Sequence, residues 1–353
     1  MYINIAGVWE MDYEEIMQEI KSNLCGDELT DLQYLQTQLD KYKDHELSQE
    51  LMWGIGRLIF ETLPEHQKAE LSDTLVTNIQ VLGAVLEEAQ NEIAEQNYER
   101  GLGLLESLVE KIDAAAPKFD ADSEHEYLCF DNLLEEVLYT KLYNPGKVIR
   151  HVPREYSDTY LVYGNLLLEM GRLKEARRAL LKANRWNPMK VETLFELGEI
   201  YKKNQQYKRY LEINMKALQH AYTARNLARC YRNLGFYYVE KQNYELATAL
   251  YSFSVRFDKV SQIPGAALQY ISHLSGQRAV PPSFQRCAEL FAEHGIQFGP
   301  NDLVLSIAIS LGDQAREAQA YEEAGYYYSL AYDLTGDPQV KAWIDALPVG
   351  EAN

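Results

Sequence analysis

The chain has 353 residues, of which 46% are hydrophobic and 25% are charged, and its formal net charge is -19. This length suffices for two or three ordinary domains or for one long repeat array, and the apolar content predicts a sizeable buried core. The acidic balance excludes a dominant cationic surface, so we expect neither duplex nucleic acid nor an anionic membrane surface as a partner.

The N-terminus and the cysteines predict a cytoplasmic protein without a cofactor. The opening MYINIAGVWEMDYEE lacks the cationic region of a signal peptide. Apolar segments such as LVLSIAISLG fall short of the roughly 20 residues of a membrane-spanning helix. The four cysteines are too far apart for metal-ligand spacing and imply no disulfide framework.

The first 156 residues contain predicted helices without a clear repeat. Residues 1–75 hold about three helices in an acidic cap or bundle, with breaks near Gly26-Asp27, Lys43-Asp44 and Leu63-Pro64. A helix over 77–96 precedes a second one that starts near Asn97, and another helix is predicted over 124–142. The segment YNPGKVIRHVPREYSD that follows carries two prolines, so any further helix there is short.

A repeat begins after residue 156. Gly164, Gly198, Gly235 and Gly312 are separated by 34, 37 and 77 residues and have similar apolar neighbours. A second apolar set follows each glycine, as in Leu173, Ala176, Leu180 and Ala183. Because alternating strand patterns with Asn-Gly or Asp-Gly turns are absent, we expect an all-α chain.

This layout resembles the tetratricopeptide repeat (TPR), whose pattern is W-x2-L-G-x2-Y, then A-x3-F, then P. The clear matches cover 157–188, 191–224, 228–261 and 305–338. Tyr210 and Asn214 depart from the expected Ala and aromatic residue. The resemblance, bacterial in type, implies a right-handed α-solenoid of antiparallel helix pairs over 76–345. Small residues would let the paired backbones approach to about 8 Å.

Three further segments are predicted as divergent repeat units. They are 77–113, 124–156 and 262–300. The last contains the helix-like runs GAALQYISHL and SFQRCAELFAEHG, split by prolines, and absorbs the nine residues by which the 77-residue spacing exceeds two 34-residue units.

Catalytic motifs are incomplete throughout the sequence. MWGIGR lacks the third glycine and the preceding strand of a dinucleotide-binding motif. His45-Glu46 and His125-Glu126 lack the second histidine of a zinc-protease motif. We therefore predict neither an enzyme nor a metal site.

One cationic segment interrupts the acidic chain. Residues 172–232 contain 15 Lys or Arg against 5 Asp or Glu. In the TPR family the first helix of each unit lines a groove that often binds peptides, and this resemblance assigns a groove to Asn165, Phe195, Lys202, Arg225, Arg229, Arg232, Asn233 and Phe236. Three readings are open: a clamp for a C-terminal carboxylate, a looser groove for an acidic peptide, and ion pairs between these arginines and glutamates of adjacent helices.

The predicted function is a non-enzymatic scaffold or adaptor that binds a protein or peptide, possibly an acidic one. The alternative is a peptide-sensing regulator that acts on protein targets, because a helical bundle followed by TPRs resembles bacterial quorum-sensing receptors. An enzyme or enzyme accessory within residues 1–156 is the third class.

Overall fold

In the part of the chain that the structure, a computed structural model, describes, most residues are helical. The structure describes residues 2–3, 9–10, 13–43, 45, 47, 51, 54–56, 58–59, 62 and 79–348. In these ranges the strands form two short ladders, one antiparallel (β1 with β2) and one parallel (β3 with β4). None of the helices in the same ranges has both the length and the apolar character that crossing a bilayer requires. The prediction of an all-α helical-repeat fold is confirmed, although the two ladders were not predicted.

The described elements follow one another along the chain. In order they are β1 Tyr2–Ile3, β2 Trp9–Glu10, α1 Tyr13–Ser22, α2 Glu28–Tyr42, α3 Ile79–Ala94, α4 Tyr98–Ala115, a 3-10 turn Ala116–Phe119, β3 His125–Leu128, α5 Leu133–Tyr143, β4 Val148–His151, α6 Glu155–Glu169, α7 Leu173–Trp186, α8 Val191–Lys203, α9 Tyr207–His220, α10 Ala224–Glu240, α11 Tyr244–Ser254, α12 Ile263–Ser275, α13 Phe284–Glu293, α14 Asp302–Glu317, α15 Tyr321–Thr335 and α16 Pro338–Asp345.

These elements form two compact units that alternate along the sequence. The first unit comprises residues 1–129 and 147–186, and the second comprises 130–146 and 187–353. The predicted boundary near residue 75 and the predicted break at Leu63-Pro64 lie outside the described residues. Of the predicted N-terminal breaks, the one at Gly26-Asp27 coincides with the start of α2, where the Asp27 side chain accepts a hydrogen bond from the Thr30 amide.

Five helix pairs of the described chain share one turn geometry. The second residue after the first helix has a left-handed backbone, with φ between 55° and 75°, at Gln96, Gly171, Gln205, Gln242 and Gln319. The next amide then bonds back to the first helix, as Gln206 N to Tyr201 O (2.8 Å) and Asn243 N to Tyr238 O (2.9 Å) do. This arrangement satisfies the carbonyls that a helix end leaves without partners.

The repeated glycines lie where the two helices of a pair touch. A Cβ on Gly164 would lie 2.6 Å from Leu180, and one on Gly235 would lie 2.8 Å from the Tyr251 ring. At Gly312 the Tyr328 ring would be 2.5 Å away. Gly198 has more room, because its nearest neighbour is the Asn214 side chain at 3.4 Å. Three of the four glycines are therefore required by close approach of a bulky side chain, and the fourth is not.

The predicted helix over 124–142 is wrong in its first half. Residues 125–128 form β3, which pairs in parallel with β4 in the register His125 with Val148. The helix α5 begins only at Leu133, because the Asn132 side chain accepts a hydrogen bond from the Glu135 amide at 3.0 Å and caps it there. The segment 124–156 is thus strand, helix and strand rather than a divergent helix pair.

The segment 262–300 also departs from the regular pairs. Both α12 and α13 pack against α11, and α12 also contacts α10. The chain then returns along α10, where the Tyr231 hydroxyl donates to the Gln297 carbonyl (2.9 Å) and accepts from the Gly299 amide (2.8 Å). The last pair packs elsewhere, with α14 against α5 and α15 against α10. As a result, the next helix pair does not stack on α12.

Candidate binding surface on α8 and α10

The first helices α8 and α10 of two consecutive pairs each bury an apolar side and present a polar one. In α10 the buried residues include Leu227, Tyr231 and Leu234. The Thr223 hydroxyl accepts a hydrogen bond from the Asn226 amide at 3.2 Å and so fixes where α10 starts. We call the polar side the α8–α10 face, and it consists of Glu192, Glu196, Glu199 and Lys202 from α8 with Arg225, Asn226, Arg229 and Phe236 from α10.

Two hydrogen-bonded pairs connect the helices across this face. The Asn226 side-chain amide donates to Glu192 at 2.8 Å, and one turn later the Arg229 guanidinium donates to Glu196 at 3.0 Å. Arg229 also lies 4.4 Å from the centre of the Phe195 ring. Phe195 itself is 1% exposed, so its side chain is buried rather than accessible on the groove to which it was assigned.

Lys202 and Phe236 extend the face by a further turn. The Lys202 ammonium lies 3.2 Å from Glu199 and 4.5 Å above the Phe236 ring. Phe236 packs edge-on against Tyr210, with 5.6 Å between ring centres. Both the charge and the ring are therefore already in contact with neighbours, although Lys202 and Phe236 remain partly accessible.

Arg232 and Asn233 are held by other parts of the second unit. Arg232 pairs with Asp258 at 2.9 Å, and their side chains are only 11% and 17% exposed. The Asn233 amide donates to Asn214 at 2.7 Å. These two residues fix α10 against the end of α11 and against α9, which is a structural role.

The two remaining predicted residues differ from this group. Arg225 is exposed and makes no ion pair with any residue that the structure describes. Asn165 belongs to α6 in the other unit, and its buried side-chain oxygen has no hydrogen-bond partner among the described residues. The structure thus brings together Phe195, Lys202, Arg225, Arg229 and Phe236.

The electrostatics of the α8–α10 face follow from this pairing. Arg229, Arg232 and Lys202 each have a carboxylate within 3.2 Å, so their charge is largely compensated. A carboxylate clamp needs free cations, and Arg225 is the single one among those predicted. Three interpretations of these arginines were open. The one that describes Arg229 and Arg232 is the ion-pair interpretation, because both pair with acids of the same unit.

A separate buried polar cluster attaches α5 to the rest of its unit. Glu135 is buried and accepts hydrogen bonds from the Asn187 amide (3.0 Å), the Tyr222 hydroxyl (3.2 Å) and the Asp131 backbone amide (2.8 Å). Burial, together with the negative charge of Asp131, raises the pKa of Glu135 to about 7. Lys190, which pairs with Asp131 at 2.8 Å, partly offsets this rise.

His220 lies at the other end of α5. Its ring is fully buried, and Nε2 lies 2.7 Å from the Tyr143 hydroxyl. Burial, reinforced by the charge of Lys216, lowers the pKa of His220 to about 3. The histidine is therefore neutral near pH 7, and it joins α5 to the end of α9.

Two sequence signals were missed in the search for repeats and sites. Gln-x-Tyr occurs at four of the five left-handed turns, namely at Gln96, Gln205, Gln242 and Gln319. In addition, residues 259–288 contain no Asp or Glu in an otherwise acidic chain, and this segment includes the whole of α12. Counting acids alone would have drawn attention to α12.

Comparison with known proteins adds little beyond this architecture. No protein-family profile matches the chain, and no curated protein matches it. A crystal structure of YrrB, a TPR protein with an unusual peptide-binding site, aligns with 54% of this chain and 91% of its own, at 16% identity and a TM-score of 0.29. A crystal structure of the APC/C hetero-tetramer Cut9-Hcn1 aligns with 95% of this chain and 63% of its own, at 13% identity and a TM-score of 0.32.

This chain accordingly spans less than two thirds of the second structure that it matches. Alignments at such TM-scores carry no argument about function. The assignment of a helical-repeat fold with TPR-type pairs depends instead on the observed geometry, in which antiparallel helices meet at glycines and share one left-handed turn.

Proposed function

We propose that this chain is a non-enzymatic interaction protein and that its α8–α10 face binds a segment of a protein or peptide partner. The observation that carries the proposal is the pair of cross-helix contacts, Asn226 with Glu192 and Arg229 with Glu196, next to the unpaired Arg225. The two contacts lie one helical turn apart and place polar groups of both helices in a row. Such a row matches the regularly spaced polar groups of a bound polypeptide.

The exposure of these pairs supports exchange with a ligand. Arg229 and Glu196 are 36% and 19% exposed, so their ion pair is partly solvated and contributes little to stability. A partner can therefore replace one member at low cost. Because acids and cations alternate on the face, the ligand that fits best combines an acidic group for Arg225 with a donor for Glu192 or Glu199.

Affinity capture from the native cell tests the proposal. The wild-type chain, an Arg225→Glu variant and a matched Arg177→Glu control would serve as baits, since Arg177 is an exposed arginine of the first unit. We expect the control to capture the same proteins as wild type and Arg225→Glu to lose them. Equal capture by all three baits would remove the α8–α10 face, whereas no specific capture by any bait would contradict an interaction role. Arg232→Glu is unsuitable, because it would place an acid against Asp258 inside the fold.

A further inference from the structure

The helix α12 carries large apolar side chains that are exposed. Ile263, Tyr270 and Leu274 are 56%, 54% and 42% exposed, although each is large and hydrophobic. They occupy positions 0, 7 and 11 of the helix and therefore share one face. We call these three residues the α12 stripe.

The face of α12 next to the stripe holds the helix to the protein. Pro264 and Ile271 are buried, and Ile271 packs in a cluster with Val239, Ala247 and Tyr251. The apolar surface of α12 is therefore wider than the part that packs on the protein, which is typical of a helix with a further partner beside its packed face. Here the next pair, α14 and α15, packs against α5 and α10 instead.

The segments that precede and follow α12 in the sequence carry exposed cations. Lys259 and Arg278 flank α12 and make no ion pair with any described residue, in contrast to Arg229 and Arg232. Arg256 lies 4.9 Å from the ring of Phe284, which is itself exposed, and likewise has no carboxylate partner among the described residues. No acid occurs between residues 259 and 288 to neutralise these groups.

From the shape and the charge together, we propose that the α12 stripe is the docking site for an amphipathic helix whose apolar seam is flanked by Asp and Glu. A helix fits because the stripe follows helical spacing over three turns, about 16 Å, and because ridges of side chains at this spacing pack against a second helix. Acidic flanks fit because they would pair with Lys259 and Arg278. A second copy docked by the same stripe would instead set these cations against each other.

This inference rests on the proposed role as an interaction protein, yet it uses a different surface. Loss of binding in Tyr270→Glu, with no loss in Arg225→Glu, would support the α12 stripe on its own. The reverse result would retain the α8–α10 face and overturn the stripe.

A display selection on the full chain provides the probe. Two libraries of helical peptides of about 15 residues would share a variable Leu, Ile, Val or Phe seam. They would differ only in the flanking positions, which are Asp or Glu in one library and Lys or Arg in the other. We expect enrichment from the acidic library alone. No enrichment, equal enrichment or enrichment of the basic library would overturn the proposal.

The enriched peptide, labelled with a fluorophore, would then be titrated by anisotropy against variants. Tyr270→Glu and the double change Lys259→Glu with Arg278→Glu should each weaken binding by about tenfold or more. Tyr98→Glu, the same change at an exposed tyrosine of α4, should leave binding unaltered. If Tyr270→Glu fails to fold, Leu274→Gln replaces it as the stripe variant. Unchanged affinity in the stripe variants would refute the site, as would a concentration-dependent dimer that Tyr270→Glu abolishes.

Discussion

The α8–α10 face and the α12 stripe use their cations in opposite ways. In the former, Arg229 and Lys202 each have a carboxylate within 3.2 Å. On either side of α12 in the sequence, Lys259 and Arg278 have none among the described residues, and three large apolar side chains of the helix are exposed. The comparison shows that a local excess of positive charge in a sequence does not identify a free cationic surface. A cation is paired where a neighbouring helix supplies an acid. The helix α8 supplies acids to Asn226 and Arg229 of α10, whereas α12 contains no acid.

The largest expected contrast between these regions is in stability. Arg232→Glu places a second acid beside the mostly buried Asp258, so we expect the free energy of unfolding to fall by about 3 kcal/mol. Arg278→Glu changes an exposed side chain that has no ion pair among the described residues. It should alter the free energy of unfolding by less than about 0.5 kcal/mol. Urea denaturation measures both. Similar values for the two variants would mean that Arg232 is not paired as described.

A second test concerns α14 and α15, whose placement leaves the α12 stripe open. Gly312→Ala would put a methyl group 2.5 Å from the Tyr328 ring, which should cost about 2 kcal/mol by overpacking. Gly198→Ala, with 3.4 Å available, is the matched control and should be neutral or stabilising by up to about 1 kcal/mol, because Ala favours a helix over Gly. If both substitutions stabilise, the pairs do not meet at their glycines.

The cluster that holds α5 gives a pH-dependent prediction. Because the folded-state pKa of Glu135 is raised from 4.5 to about 7, its contribution to stability is complete below pH 4.5 and is lost as the pH rises through 7. Glu135→Gln removes this loss, so at pH 8 the free energy of unfolding of the variant should exceed that of wild type by roughly 1–2 kcal/mol. Thermal or urea unfolding between pH 5 and pH 8 measures the difference. A wild-type stability that rises with pH by more than that of the variant would contradict the raised pKa of the buried Glu135.

The smallest expected effect lies in the turn between α10 and α11, the pair on which α12 packs. Gln242 has φ 58°, a backbone region in which glycine is favoured. Gln242→Gly should therefore raise the free energy of unfolding by about 0.5 kcal/mol and leave peptide binding to either surface unchanged. Gly171→Gln is the reverse change at the equivalent turn, where φ is 75°, and should lower it by a similar amount.

The sequence was sufficient to predict a helical-repeat fold, although not the structure of every segment. Helical periodicity and the recurring glycines reflect local backbone preference and close packing, which act over one repeat and are visible in the residues themselves. The pair α3 and α4 could also have been identified as a regular one from the Gln-x-Tyr at its turn. By contrast, β3 and β4 pair residues 23 positions apart across a helix, and no local pattern announces such a contact.

The candidate surface was less predictable, because a charge is free or paired only through tertiary contacts. The prediction placed Arg232 in a groove, but Asp258, which follows α11 of the same pair, binds its guanidinium. Phe195 was assigned to the same groove, yet it is buried and Arg229 lies over its ring. The α12 stripe depends on α14 and α15 packing against other helices, which the spacing of the repeats did not reveal.

Arginine-specific labelling by phenylglyoxal, read out by mass spectrometry of the native chain, tests the contrast between paired and free cations directly. The account predicts that Arg278 and Arg225 react quickly, whereas Arg229 reacts slowly and Arg232 most slowly. Equal reaction rates at Arg278 and Arg232 would contradict it.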